Sequence, residues 1–504
     1  MHNLPMLKRQ SLFLSLAALL SACDLAPEMQ NVLPTLPEAF RGAPTPAEQQ
    51  AQAPAPQASE ASTAAPADEA LPPAEAWKTA EPSDAKDRGA WWEVFGDSAL
   101  NALQQEALSA NQTAAAARAR VAAARAFARF EASDLYPGIG IDANASRRGE
   151  TNANFPDATS PRQKPRNIYS AIGNVSYELD LFGMNRNQAA AATYEAEGED
   201  ANYRNTLLGL QADVAEHYFT LRAIDEEMRT LRATLEVREQ AEQVMKRRLE
   251  AGFTSELDYA RAQSELASVR ADLFALEKLR AQREHMLALL LGKPASEFTF
   301  ASAPLEADMQ PPAIPPGLPS ALLERRPDIA VAQRSLSASN ARIGVARAAF
   351  FPSVTLGLSG GYESNRSSEV FRWASRSWAL GPQIHIPLFE GGSAQANLER
   401  RKAEYEEAVA NYRQQVLAAF AEVETALSDV RLLTQQLEAQ QLATDSARRT
   451  AQLSQLRYDQ GDLNYLDVVD AKRTQLAAER ALAQIKGQRY TATLQLIRAL
   501  GGGW

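Results

Sequence analysis

Four stretches of the chain alternate apolar and polar residues with a period of two. Ile139, Ile141, Ala143 and Ala145 alternate with Gly138, Gly140, Asp142, Asn144 and Ser146, and Tyr169, Ala171, Val175, Tyr177, Leu179 and Leu181 with Ser170, Asn174, Ser176, Glu178 and Asp180. Val354, Leu356, Leu358 and Tyr362 alternate with Thr355, Gly357, Ser359 and Glu363, and Trp378, Leu380, Ile384, Ile386 and Leu388 with Ser377, Gly381, Gln383 and His385. That period predicts strands with one apolar and one polar face. Elsewhere the period lengthens. Leu207, Leu210, Val214, Tyr218, Leu221, Ile224, Met228, Leu231 and Leu235 make eight steps over 28 residues, a mean of 3.5, which is the coiled-coil repeat. Val409, Tyr412, Val416, Phe420, Val423, Leu427, Val430 and Leu437 follow the same rule. The pattern predicts helices over 98–133, 185–250 and 255–291, and again over 319–349, 393–459 and 464–500. A helix over 185–250 is roughly 100 Å long at about 1.5 Å per residue. A soluble bundle carries the same stripe, but this length favours an elongated column.

The predicted elements fall into one unit written twice. Residues 111–137 align without gaps on 326–352, and Leu181-Phe182 matches Leu388-Phe389. Tyr203-Arg204 matches Tyr412-Arg413, Gly252 matches Gly461, Leu257-Asp258 matches Leu466-Asp467, and Leu291-Gly292 matches Leu500-Gly501, all at an offset of 209. Each copy reads helix, two strands, long helix, turn, helix. The expected organisation is a signal over 1–22, an extended tether over 23–90, a first repeat over 91–300, a linker over 301–318 and a second repeat over 319–504.

Composition removes several functions. The chain is 45% hydrophobic and 23% charged with a formal net charge of −10, and no basic cluster stands in the sequence, so nucleic acid is not an expected partner. A single cysteine rules out internal disulfides and cysteine zinc sites. The four histidines, His2, His217, His285 and His385, lie far apart, lack carboxylate or serine partners at motif spacing, and accompany no phosphate-binding glycine loop. No metal, cofactor or enzymatic activity is expected. The lone cysteine has a particular place. Lys8 and Arg9 precede an apolar run over 12–20, then Ser21, Ala22 and Cys23, the order of a secretory signal. Leu20-Ser21-Ala22-Cys23 resembles the bacterial lipoprotein box, which implies covalent diacylglyceryl and N-acyl lipid on Cys23. Asp24 resembles an inner-membrane retention signal. The Ala/Pro-rich stretch from Ala39 to about Pro82 has too few branched and aromatic residues to offset ordering entropy.

Strands of ten or more residues with one polar face suit a wet-lumen barrel with its apolar face toward lipid. A soluble sandwich gives the same alternation, and the lipoprotein signal tips the balance. Four strands are too few to close a barrel, since the smallest bacterial outer-membrane barrels use about eight, so the chain must oligomerise. With Trp91-Trp92 and Phe95, Leu135-Tyr136-Pro137, Leu181-Phe182-Gly183, residues 388–392 and residues 458–470, the chain resembles the outer-membrane factor family, the TolC- and OprM-like channels, and most closely its lipidated efflux branch. The resemblance covers Trp91 to the C-terminus. It implies an α+β membrane protein, a homotrimer whose twelve-stranded barrel continues as a helical periplasmic tunnel. It also implies an efflux duct in the outer membrane for small molecules such as drugs and toxic compounds, with outer-membrane lipid, a periplasmic adaptor and an inner-membrane RND-type pump as partners. The outer-membrane barrel outweighs Asp24. Rival readings are a type I protein-secretion exit channel and a lipid-anchored coiled-coil scaffold or adhesin without a pore.

Glycine at Ala251-Gly252-Phe253-Thr254 and at Gln460-Gly461-Asp462-Leu463 predicts helix reversals. The resemblance makes these tips the periplasmic mouth and the adaptor-docking surface. Leu466 and Asp470, four residues apart, share a helix face, with Asp467 close by. By resemblance Leu466 is an apolar constriction, Asp467 and Asp470 form an acidic ring that favours cations, and Tyr458 with Arg457 ties the closed helices together.

Overall fold

The strands pair in the order of the sequence. β1 (Gly138–Arg148), β2 (Arg166–Leu179), β3 (Ser353–Ser364) and β4 (Arg376–His385) form one four-stranded antiparallel sheet. Its register sets Ile139 opposite Val175, Val175 opposite Leu358 and Leu358 opposite Leu380, so one apolar row crosses all four strands. Asp142 and Asn174 lie on the other face, joined by a hydrogen bond of 2.5 Å from the Asn174 amide. β1 and β4 are the sheet edges, and Ile139 and Ile141 on β1 are 80% and 81% exposed.

The computed structural model describes residues 25–28, 89–149, 165–305, 310–314 and 324–502. The signal segment, Cys23, Asp24, nearly all of the tether and most of the first hairpin loop lie outside the described residues. The helices are α1 (Ser98–Ala110), α2 (Gln112–Ser133), α3 (Met184–Glu250), α4 (Glu256–Leu290), α5 (Pro327–Ala348), α6 (Ser393–Asp459) and α7 (Tyr465–Ala499). The helix expected over 98–133 breaks at Asn111, because the Asn111 carboxamide caps α2 by accepting from Ala114 N–H at 2.9 Å. The helix expected from 319 has its regular part from Pro327, whose fixed φ and missing N–H suit a first helical position.

The chain divides into two compact units. One holds Arg120–Asp200 and Val331–Tyr412 with the start of the chain; the other holds Leu33–Ala119, Ala201–Ala330 and Arg413–Trp504. In the sheet-bearing unit Phe182 stacks on Phe351 with centroids 4.6 Å apart. The carbonyls of Leu25 and Pro27 accept from Arg347 and Asn340, which seats the residues just after Cys23 on α5.

In the helical unit the coiled-coil stripe is the core. Val214, Tyr218 and Leu221 are buried with Trp91, Phe95, Phe219, Tyr490 and Ile497, and Met228 and Leu231 with Val269, Leu273 and Leu276 of α4 in a second cluster. Burial, and then the hydrogen bond to Asp97, push the Tyr218 phenol well above its ordinary pKa. The end of the first repeat and the start of the linker are tied down: Arg280 donates to the Phe300 carbonyl at 2.7 Å, and buried Asp225 accepts from Ala303 N–H at 3.0 Å.

The two repeats match at the level of single bonds. Asn111 donates to the Leu290 carbonyl at the end of α4, and Arg326, its repeat equivalent, donates to the Ala499 carbonyl at the end of α7, both at 2.9 Å. Gly292 and Gly501 follow those helix ends with φ of 68° and 86°.

Candidate gate at the helical-hairpin turns

The two long hairpins, α3–α4 and α6–α7, reverse at turns built alike. Gly252 and Gly461 take φ of 75° and 86°, the left-handed cap that ends a helix. Phe253 N–H bonds back to the Arg248 carbonyl at 2.8 Å, and Asp462 N–H to the Arg457 carbonyl at 2.9 Å, satisfying the last carbonyls of each helix. The following helices are capped by repeat-related pairs. Ser255 caps α4 with Asp258, and Asn464 with Asp467 forms a capping box on α7. The first tip presents Phe253, 83% exposed, while Thr254 turns back onto the Asp258 carboxylate. At the second tip Gly461 and Asp462 are exposed and Leu463 is half-buried.

The residues singled out in the sequence divide into three groups here. Tyr458 is half-buried, accepts a hydrogen bond from Arg248 at 3.0 Å and lies 5.8 Å from the Tyr465 ring; Arg457 is exposed. The Asp467 carboxylate accepts the Asn464 N–H at 3.2 Å, so it serves its own helix end. Leu466 and Asp470 are exposed, and Asp470 comes only within 3.9 Å of Arg473. Burial raises the Tyr465 hydroxyl above its ordinary pKa.

A set of ion pairs above the turns has no local sequence signal. Glu265 on α4, 5% exposed, is held between Arg238 on α3 at 3.4 Å and Arg473 on α7 at 2.6 Å. Two helical turns higher, Arg480 on α7 reaches Glu227 on α3 at 2.7 Å and Asp272 on α4 at 2.8 Å. These partners lie more than 200 residues apart for each α7 arginine. Only the seven-residue spacing of Arg473 and Arg480, which puts them on one face of α7, was visible beforehand.

A sheet with lipid-suited alternation, joined to paired helices of 67 and 35 residues, defines a class of protein, the outer-membrane channels with helical extensions. The model of the family described as "Outer membrane efflux protein" matches residues 103–293 and 318–502, and the chain belongs to that family. It is similar to the pyoverdine export outer membrane protein OpmQ of Pseudomonas aeruginosa, 35% identical over 445 residues, 87% of this chain and 93% of that one. It is 32% identical over 419 residues to the probable outer membrane lipoprotein SilC of Salmonella typhimurium, 82% of this chain and 88% of the other. Among solved structures, the outer-membrane channel OprN matches with a TM-score of 0.78 at 34% identity, over 84% of this chain and 97% of that chain. The protein is thus an outer-membrane component of an efflux pump, located in the outer membrane, and its relatives are transport proteins.

Proposed function

We propose that three copies of the chain close a twelve-stranded barrel continued by a helical tunnel, a passive exit duct for small molecules. An inner-membrane RND-type pump and a periplasmic adaptor deliver the cargo. The observation that carries this reading is an unfinished ring. Both sheet edges are unpaired among the described residues, and exposed backbone at an edge within lipid is costly enough that only closed barrels of strands span membranes.

The internal repeat supports the same closure. Phe182 of the first repeat stacks on Phe351 of the second. The equivalent pair, Phe389 of the second repeat and Tyr136 of the first, is unmade within the chain: Phe389 is 91% and Tyr136 72% exposed. In a ring each Phe389 meets the next copy's Tyr136, as β4 meets the next β1.

The periplasmic gate is Leu466, Asp467 and Asp470, with Arg457 and Tyr458 restraining it. The adaptor docks on the tips, at Gly252, Phe253 and Thr254 and at Gly461, Asp462 and Leu463. Cys23 carries the lipid, and Leu25 and Pro27, which follow it in the chain, are held on α5. The test is electrical. Purified, heat-modifiable trimers in planar bilayers should conduct with cation preference, and Asp467→Ala with Asp470→Ala should raise conductance and weaken that preference. Absence of channels from folded trimer sinks the duct; unchanged selectivity in the variant sinks the gate. Mass spectrometry of the mature N-terminus tests the lipid, with Cys23→Ser as the control.

A further inference from the structure

A cavity of about 840 Å³ lies between α3, α6 and α7, with Pro304 and Leu305 on its rim. Its wall carries five cations, Arg229, Arg238, Arg448, Lys472 and Lys486, against two carboxylates, Glu226 and Glu479. Both carboxylates are already engaged. Glu226 holds Arg229 at 2.6 Å and Glu479 holds Arg448 at 2.7 Å. Arg238 shares its one partner, Glu265, with Arg473 from outside the cavity. Lys472 and Lys486 form no ion pair with the described residues.

The sign of this cavity opposes that of the chain, whose net charge is −10. No run of basic residues announces it, because folding collects the cations from three helices. Packing like charges together at partial burial is unfavourable unless something of opposite sign is present. Burial and the neighbouring Arg238 pull the Lys472 amine below its ordinary pKa, and Asp459 opposes them only in part. Thr230, Thr234, Gln441 and Gln475 add neutral polar groups to the wall.

We propose that this cavity binds an elongated polyanion carrying several phosphate or carboxylate groups. The length follows from α7: Lys472 and Lys486 stand fourteen residues apart, about 21 Å along a helix axis, so a single phosphate reaches only one of them. Arg448 pairs with Glu479, which lies between the two lysines on α7, and Arg229 on α3 interacts with the same carboxylate, which gives the ligand positive charge between the two ends of its span. The lining shares no residue with the gate.

The test is titration calorimetry on the purified full-length protein in nonionic detergent at low salt. The probes are tripolyphosphate, hexaglutamate and orthophosphate. At least one of the two long anions should bind saturably and about tenfold or more tighter than orthophosphate; the tighter of the two assigns phosphate or carboxylate. Lys472→Gln with Lys486→Gln should weaken it about tenfold, while Lys472→Arg with Lys486→Arg, and Lys278→Gln on the exposed face of α4, should retain it. The proposal is overturned by absence of binding to either long anion, by equal binding of orthophosphate, or by wild-type affinity in the double Gln variant. It is equally overturned if Lys278→Gln or the double Arg variant loses binding.

Discussion

The Arg248 guanidinium donates to the Tyr458 hydroxyl at 3.0 Å across 210 residues of sequence, tying the end of α3 to the end of α6. The bond is solvent-exposed, so its net worth is about 0.5–1.5 kcal/mol. Tyr458→Phe removes the acceptor and keeps the ring beside Tyr465. Single-channel recording should show the open fraction rising roughly 2- to 10-fold, the range that this free energy allows. An unchanged open fraction would remove Tyr458 from the gate.

The unmade pair of Tyr136 and Phe389 makes a geometric prediction. Tyr136→Cys with Phe389→Cys should form disulfides between copies under oxidation, giving a covalent ladder up to three chains on non-reducing gels. Either cysteine alone should not. Ile141→Arg should in turn lower the yield of heat-modifiable trimer, because a cation on a lipid face costs up to about 2–4 kcal/mol per copy at mid-bilayer. Trimer yields equal to wild type would place Ile141 away from lipid.

Glu265 is the single carboxylate between Arg238 and Arg473. Glu265→Gln leaves the Arg238 guanidinium buried beside a neutral group, and breaking a buried pair this way costs about 3–5 kcal/mol. Thermal melting should fall clearly. Replacing the pair together, Glu265→Met with Arg238→Met, should recover much of the loss, since apolar groups of similar volume carry no desolvation cost. Failure of the double variant to recover would mean that packing, not charge, sets the stability there.

His217 predicts a pH dependence. Burial first, and then Arg283, lower its pKa below the ordinary 6.5. Between the lowered value and about 6.5 the unfolded chain therefore binds a proton that the folded chain does not, so stability falls as the pH drops through that window. His217→Gln should flatten the melting temperature over the same window. A slope identical to wild type would exclude this residue as its source.

Gly292 tests the repeat joint. Its φ is 68°, and a side chain there would put a Cβ 2.5 Å from the Ala110 carbonyl oxygen. Gly292→Ala should destabilise by more than the roughly 1–2 kcal/mol that a left-handed backbone alone costs. Gly461→Ala, with open space around it at a φ of 86°, should cost no more than that backbone term. Equal melting shifts for the two would deny the steric contribution at Gly292.

The periodic elements were legible because their cause is local. A period of two placed the strands to within three residues at each end, and Gly252 and Gly461 marked the hairpin turns through a conformation that favours glycine. The break at Asn111 was missed because helical propensity continues through the alanines on both sides, while the cap that interrupts it also draws on the Leu290 carbonyl, 179 residues away. The acidic ring that the resemblance implies leaves out the local partner of Asp467, and the Asn464-x-x-Asp467 spacing of a capping box is the signal for it.

By itself the sequence determined the repeat, the alternating strands, the long coiled-coil helices and, through them, the family, because periodicity and spacing are written along one dimension. It also carries the incomplete sheet as a count of strands. Only the tertiary structure decided which charges meet. Arg238, Glu265 and Arg473, or Lys472 and Arg238, lie on different helices, and their interaction energy depends on distance and burial rather than on order in the chain. The exposure of Tyr136 and Phe389 belongs to the same kind of knowledge: two aromatic residues look alike in sequence until the fold fills one repeat-related pair and leaves the other open.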